Sequence, residues 1–110
     1  MEIAEIECKN ISDWDTFHDE FKHVFGFPDF YGRNMNAWID CLSYLDCPDD
    51  KMTTIHCKPG ETMTVLLKNA QEFKARCPEQ WEALNECAAF VNWRIIEKGE
   101  PPLLALAYNV

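Results

Sequence analysis

The chain lacks several patterns that mark common functional classes. No two of its cysteines form a CxxC pair, and no two histidines stand four residues apart, so nothing pre-arranges the convergent ligands of a zinc site. No run reaches the roughly 18 consecutive apolar residues of a membrane-spanning helix. Basic residues number 10 against 19 acidic ones, the opposite of a nucleic-acid-binding protein. We therefore predict no metal or cofactor site, and neither nucleic acid nor membrane as a partner.

Targeting features are also missing at the N-terminus. The sequence MEIAEIECKN alternates acidic and apolar residues and has neither the basic region nor the apolar core of a signal peptide. We therefore expect a cytoplasmic protein. In that compartment the six cysteines are expected to be reduced thiols that pack in apolar surroundings rather than disulfides.

The chain does contain enough apolar material for one folded unit. Of its 110 residues 47% are hydrophobic and 13% aromatic, which predicts a single domain over residues 1–110 with one core. Its negative charge is concentrated in residues 13–50, where nine acids and two bases give a net charge of −7. Such a surface favours a basic protein partner, because opposite charges accelerate the encounter.

Apolar patterning predicts an α/β fold. We predict strands at 3–8, 62–68 and 103–108. The last two are apolar on both faces, which is typical of strands that are buried on both sides. Because helical patterns separate the strands, the order favours a small parallel sheet with right-handed crossovers.

Three or four helices are predicted between these strands from capping and terminating residues. The first is capped by Ser12, with Asp15 completing a capping box, and ends at Gly26. The second starts after Asn34 and runs to about Cys47. One or two helices follow the second strand: a longer one that starts near Pro78 and ends at Gly99, with or without a short one from Asn69 to Arg76 before it.

The helix after Asn34 has two predicted faces on a helical wheel. Its core stripe comprises Met35, Trp38, Leu42 and Leu45. Its polar face comprises Asn36, Asp40, Ser43 and Cys47, flanked by Ile39 and Tyr44. Weak charge with apolar and aromatic flanks is the composition of interface centres, although an ordinary solvated face fits the spacing equally well.

The loop before this helix carries Phe30, Tyr31 and Gly32. Gly32 indicates either a backbone position with positive φ or the close approach of a partner chain. The two aromatic rings either contact a partner or fold back onto the core, and the sequence leaves both open.

The stretch FPDFYGRNMNAWIDCL, residues 27–42, resembles the signature of the barstar family, named after an intracellular inhibitor of a secreted ribonuclease. The matching positions are Pro28, Tyr31, Gly32, Asn34, Ala37, Asp40, Cys41 and Leu42. The resemblance implies a two-layer fold, in which helices pack on a three-stranded parallel sheet. It also implies a protein that is monomeric when free and binds one toxic ribonuclease, secreted or delivered by contact, one to one.

The resemblance further implies a contact surface formed by the loop and the helix. Its partner-binding residues would be Phe30, Tyr31, Gly32, Asn34, Asn36, Ile39, Asp40, Ser43 and Tyr44. Asp40 would enter the phosphate site of the ribonuclease, Phe30 would stack near its catalytic histidine, and Gly32 would allow close backbone approach.

Three positions differ from the family pattern. Asn36 and Arg33 stand where the family has acids, and Ile39 stands where it has an interface tryptophan. A family carboxylate on the last helix has no secure match, with Arg94 and Glu97 nearby. The alternative is therefore a barstar-like immunity or binding module directed at a non-nuclease toxin or another protein.

We do not expect an enzyme. The neighbouring pairs His56–Cys57 and Asp40–Cys41 are the nearest approach to a nucleophile and its base. Adjacent residues on a strand or helix point in different directions, so neither pair forms a dyad.

Overall fold

The computed structural model describes residues 3–109; the first two residues and Val110 of the predicted domain lie outside that range. The strands are β1 (Ile3–Glu7), β2 (Met63–Lys68) and β3 (Leu104–Ala107). The helices are α1 (Trp14–Phe25), α2 (Met35–Leu42), α3 (Ala70–Arg76) and α4 (Pro78–Ile96), with short 3-10 turns at Cys8–Asn10 and Pro48–Asp50. No helix in this range is long and apolar enough to cross a bilayer.

The three strands form one parallel sheet in the order β1-β2-β3, which confirms the predicted sheet. Val65 at its centre is aligned with Ala4 on one side and Leu106 on the other. Buried residues alternate along β1 and β2, because the helices cover one face and leave the other partly open. The prediction that β2 and β3 are buried on both faces is therefore wrong, and Ala105 on the edge strand is exposed.

Helix α1 begins one residue later than predicted. Asp13, not Ser12, is the N-cap: its carboxylate accepts a hydrogen bond from Thr16 N at 2.8 Å, and the Thr16 hydroxyl accepts one from Asp13 N at 3.0 Å. With the cap at Asp13, the third helical position of the box is Thr16, whereas the predicted box had placed Asp15 there. The helix ends at Gly26 as predicted, with φ of +67°.

Helix α2 ends at Leu42, five residues before the predicted end. Ser43 caps it, and the chain then turns, with a hydrogen bond from Cys47 N to Tyr44 O at 2.9 Å. Leu45 is still fully buried, and its carbonyl accepts from Cys57 N at 3.1 Å. Apolar spacing predicted the burial of Leu45 correctly, but a turn achieves it in place of another helical turn.

The last two helices close the domain. Asn69 precedes α3 in the left-handed conformation, and its side-chain amide donates to Glu7 Oε2 at 2.8 Å in place of a helix cap. Pro78 stands in the first turn of α4, as predicted, and Leu84, Ala88, Val91 and Ile95 are buried along it. Asn92 on α4 accepts from Leu104 N at 2.8 Å and so ties β3 to the helix.

Candidate protein-binding site

Helix α2 is fixed at its start by Asn34. The Asn34 side-chain oxygen accepts from Ala37 N at 2.8 Å, and its amide donates to Gly32 O at 3.2 Å. One side chain thus caps the helix and closes the preceding turn. Asn34 is exposed, but its polar atoms are already engaged within the chain.

The two predicted faces of α2 are present. Trp38, Cys41 and Leu42 are buried against the core, and the Trp38 ring meets Phe21 edge-on at 5.6 Å. On the other side Asn36 and Asp40 are exposed. The helix therefore presents a lone carboxylate from a rigidly packed base.

Part of the predicted polar face of α2 is less exposed to solvent than the helical wheel predicted. Ile39 and Ser43 are half-buried, and the Ser43 hydroxyl donates to Ile39 O at 2.6 Å, so it is turned back onto the helix. Tyr44 is exposed but lies on the turn after α2. The outward surface of the helix itself consists mainly of Asn36 and Asp40.

Asp40 lies next to residues from other segments of the chain. Arg94 Nη1 of α4 lies 3.8 Å from Asp40 Oδ1, and the Arg94 guanidinium stands 6.0 Å from the centre of the Phe90 ring. Asp40 also lines a cavity of about 400 Å³ together with Tyr44, Asp50 and Met52. Sequence reasoning missed Asp50 and Met52, because they belong to an irregular segment with no periodic pattern.

The Phe30 loop, residues 27–34, turns the neighbouring rings of Phe30 and Tyr31 in opposite directions. Phe30 is 76% exposed, whereas Tyr31 is only 6% exposed. The Tyr31 hydroxyl is hydrogen-bonded to His18 Nδ1 at 2.6 Å. Of the two possibilities left open by the sequence, Tyr31 folds onto the core and Phe30 faces outwards, so a partner would meet Phe30 rather than Tyr31.

Burial keeps both members of this hydrogen bond uncharged. It lowers the pKa of His18, with a smaller contribution from the positive charge of Arg33, and it raises the pKa of the Tyr31 hydroxyl. A buried charged group without a close counter-ion would be costly. The loop is therefore held by a neutral hydrogen bond at neutral pH.

Gly32 does not have a positive φ, so that part of the prediction is wrong. The left-handed residue is its neighbour Arg33, with φ of +52°. A Cβ at position 32 would lie 3.2 Å from Asn34 Nδ2 and 3.6 Å from Ala37 Cβ, a tight fit against the helix cap. The role of Gly32 in close approach by a partner stays a prediction.

The two neighbouring pairs named above as the nearest approach to a nucleophile and its base, His56–Cys57 and Asp40–Cys41, do not form catalytic dyads. His56 Nδ1 lies 3.3 Å from Thr53 Oγ1, while the Cys57 thiol points to Glu61 O at 3.8 Å. Burial raises the pKa of the Cys41 thiol to about 11, so it stays protonated beside Asp40. Over residues 3–109 no three His, Cys, Asp or Glu side chains are placed to hold a metal ion.

Comparison with known proteins gives two matches. A family model described as "Barstar (barnase inhibitor)" matches residues 1–107. Over 44 residues the chain is 39% identical to a protein of Bacillus subtilis (strain 168) named "Putative ribonuclease inhibitor YrdF". That match covers 39% of this chain and 48% of the relative, so it spans about half of the relative's length.

Proposed function

The chain belongs to the barstar family, whose model covers residues 1–107, and from this premise we propose that it inhibits a ribonuclease by occluding the active site. The proposed partner is a toxic ribonuclease, bound one to one by a chain that is monomeric when free and acts in the cytoplasm. Free thiols at Cys8, Cys41, Cys47, Cys77 and Cys87 fit a reducing compartment.

The observation that carries this proposal is the presentation of Asp40. Its side chain is 65% exposed on a helix whose opposite face is buried in the core. A ribonuclease site is cationic because it binds phosphate, and a rigidly held anion can replace that phosphate. Rigidity matters because little conformational entropy is then lost on binding.

The contact between Arg94 and Asp40 is compatible with this role. At 3.8 Å it is too long for a hydrogen bond, and both side chains are exposed to solvent. Exposed ion pairs of this kind contribute little to stability. Cations in the ribonuclease site can therefore replace Arg94 around the carboxylate at small cost.

The test is titration of ribonuclease activity with the purified chain. Barnase and a panel of related microbial ribonucleases would be assayed on a fluorogenic RNA substrate, and inhibition should be complete at a one-to-one ratio. Asp40→Ala should weaken inhibition at least about 30-fold, equivalent to about 2 kcal/mol for a central interface residue. Glu72→Ala is the matched control, since Glu72 is an exposed acid on α3 and its removal changes the net charge equally.

The role of Asp40 and the proposed inhibition of a ribonuclease are refuted by different outcomes. Full inhibition by Asp40→Ala would refute the role of this carboxylate. If the unmodified chain left every ribonuclease active, the proposed function itself would be refuted.

A second candidate is a barstar-like immunity or binding module that blocks a non-nuclease toxin or another protein. It is favoured by Asn36, which is exposed beside Asp40 where the family pattern has an acid, because changed charges at an interface redirect specificity. Blockade of a non-nuclease toxin, with all ribonucleases left active, would support this candidate over the first.

A further inference from the structure

The guanidinium of Arg33 is directed towards α1. Arg33 Nη1 lies 2.9 Å from Asp19 Oδ1, and Arg33 Nη2 donates to Asp15 O at 2.9 Å and lies 3.6 Å from Asp15 Oδ1. The backbone of Arg33 adopts φ of +52°, an unfavourable conformation for a side-chain-bearing residue. We infer that the contacts of its side chain with these three acceptors hold Arg33 in the strained backbone conformation.

A second link joins the same loop to the same part of α1. Tyr31, two residues before Arg33, is hydrogen-bonded to His18, which adjoins Asp19. Between the loop and the helix lies a cavity of about 220 Å³, lined by Trp14, His18, Arg33, Asn34 and Met35. Close packing does not fill this space, so at this point the polar links act together with the packing of buried Tyr31 to position the loop.

The exposed ring of Phe30 directly precedes the linked segment. We propose that Arg33 is a positioning residue: with Asp15 and Asp19 it forms a clamp that fixes the Phe30 loop on α1, and its charge is neutralised within the chain instead of being offered to a partner. The inference rests on the proposed function only in taking the Phe30 loop as a contact surface.

The proposal also accounts for a departure from the family pattern. An arginine at position 33 in a surface that meets a cationic site would repel it. Directed at two acids of α1, the same arginine removes that repulsion. Single exposed ion pairs are weak, but here a guanidinium fork engages two carboxylates and a backbone carbonyl, a geometry that lysine cannot reproduce.

Hydrogen exchange in the free protein tests the clamp. The informative amides are Tyr31 N–H, bonded to Pro28 O at 2.9 Å, and Ala37 N–H, bonded to the Asn34 side chain. Arg33→Gln should speed exchange at both by about two- to fivefold, with the Val91 amide of α4 unchanged. Asp19→Asn should act in the same direction. The double variant should add little to Arg33→Gln, because Arg33→Gln already removes the Arg33–Asp19 contact.

Glycine variants distinguish positioning from a general effect on stability. Arg33→Gly removes the clamp and also relieves the left-handed strain, so exchange at Tyr31 should rise without a matching loss of global stability. Lys51→Gly is the matched control, since exposed Lys51 has φ of +57°; it should leave exchange at Tyr31 unchanged. Arg33→Lys should lie between Arg33→Gln and the unmodified chain.

Two results would overturn the clamp: exchange at Tyr31 and Ala37 unaltered by Arg33→Gln, or effects of Arg33→Gln and Asp19→Asn that simply add. Either can be seen whether or not the protein inhibits a ribonuclease. Conversely, failure to inhibit any ribonuclease refutes the proposed function and leaves the exchange result standing, so the two failures are distinguishable.

Discussion

Replacement of Gly26 by alanine should destabilise the fold strongly, because this glycine has two separate requirements. It ends α1 with φ of +67°, and it lies directly against Thr54. A Cβ at position 26 would overlap Thr54 Oγ1 and lie 2.7 Å from both Thr54 Cβ and Cγ2. Rotation of the threonine side chain cannot move its Cβ, and a hydrogen bond from Thr54 N to Phe25 O at 2.9 Å fixes its backbone.

The two contributions can be estimated separately. The left-handed conformation costs about 1–2 kcal/mol for an alanine. About 0.4–1 kcal/mol of this is offset, because an unfolded chain with alanine at this position has less conformational entropy to lose than one with glycine. Overlap with a neighbour that cannot move adds about 1–3 kcal/mol. Gly26→Ala should therefore lower the free energy of unfolding by about 3 kcal/mol, within a range of about 1–5, a large part of the stability of a small domain.

Gly99→Ala is the matched control for the conformational part. Gly99 has φ of +83°, and a Cβ there would have no neighbour within 4 Å, so this change should cost about 1 kcal/mol or less. Urea titration measures both variants as shifts of the midpoint at constant slope. In the Gly26→Ala background, Thr54→Gly should recover the overlap contribution; equal destabilisation by Gly26→Ala and Gly99→Ala would refute the reasoning.

Three further predictions follow from buried polar groups. Burial lowers the pKa of His18, so on acidification the unfolded chain is protonated at this histidine before the folded chain is. The free energy of unfolding should therefore fall as the pH drops below about 6.5. Urea titrations at several pH values should show a smaller fall for His18→Gln, and an equal fall would contradict this prediction. Among the residues described, the Trp38 indole N–H is buried without a hydrogen-bond partner, so its removal leaves no hydrogen bond broken. Trp38→Phe should therefore lower the free energy of unfolding by about 1–2 kcal/mol, and Trp38→Ala by about 3–5 kcal/mol. Equal denaturation midpoints for the two variants would argue against this prediction. Burial raises the pKa of the Cys8 thiol to about 12 and shields it from solvent, so a thiol reagent at pH 8 should modify half-buried Cys47 and Cys87 before Cys8. Peptide mapping can show this order, and labelling of Cys8 before either of them would contradict the described burial.

Local signals in the sequence predicted the start of α2 and α4 correctly. Asn34 caps its helix through its own side chain, and Pro78 needs only the geometry of a first helical turn. The same kind of signal misplaced the first cap by one residue, because Ser12 and Asp13 are both good caps and the hydroxyl of Thr16 decides between them.

The end of α2 could not be predicted in this way. Helical spacing continues to Leu45, but the chain leaves the helix at Ser43 because turn hydrogen bonds and a long-range bond from Cys57 to Leu45 replace helical ones. The orientation of Tyr31 is a similar case. Its partner His18 is 13 residues away on α1, and no local pattern indicates which aromatic ring turns inwards.

The sequence by itself determined the parallel three-stranded α/β fold, the cap at Asn34 and the two faces of α2, because these depend on periodicity and on side chains acting within a few residues. Tertiary structure alone decided what surrounds the candidate site. It brought Arg94 to Asp40, placed Asp50 and Met52 in the same cavity, and turned Arg33 towards α1. These arrangements depend on contacts between separate elements, whose distances are set only when the helices pack on the sheet.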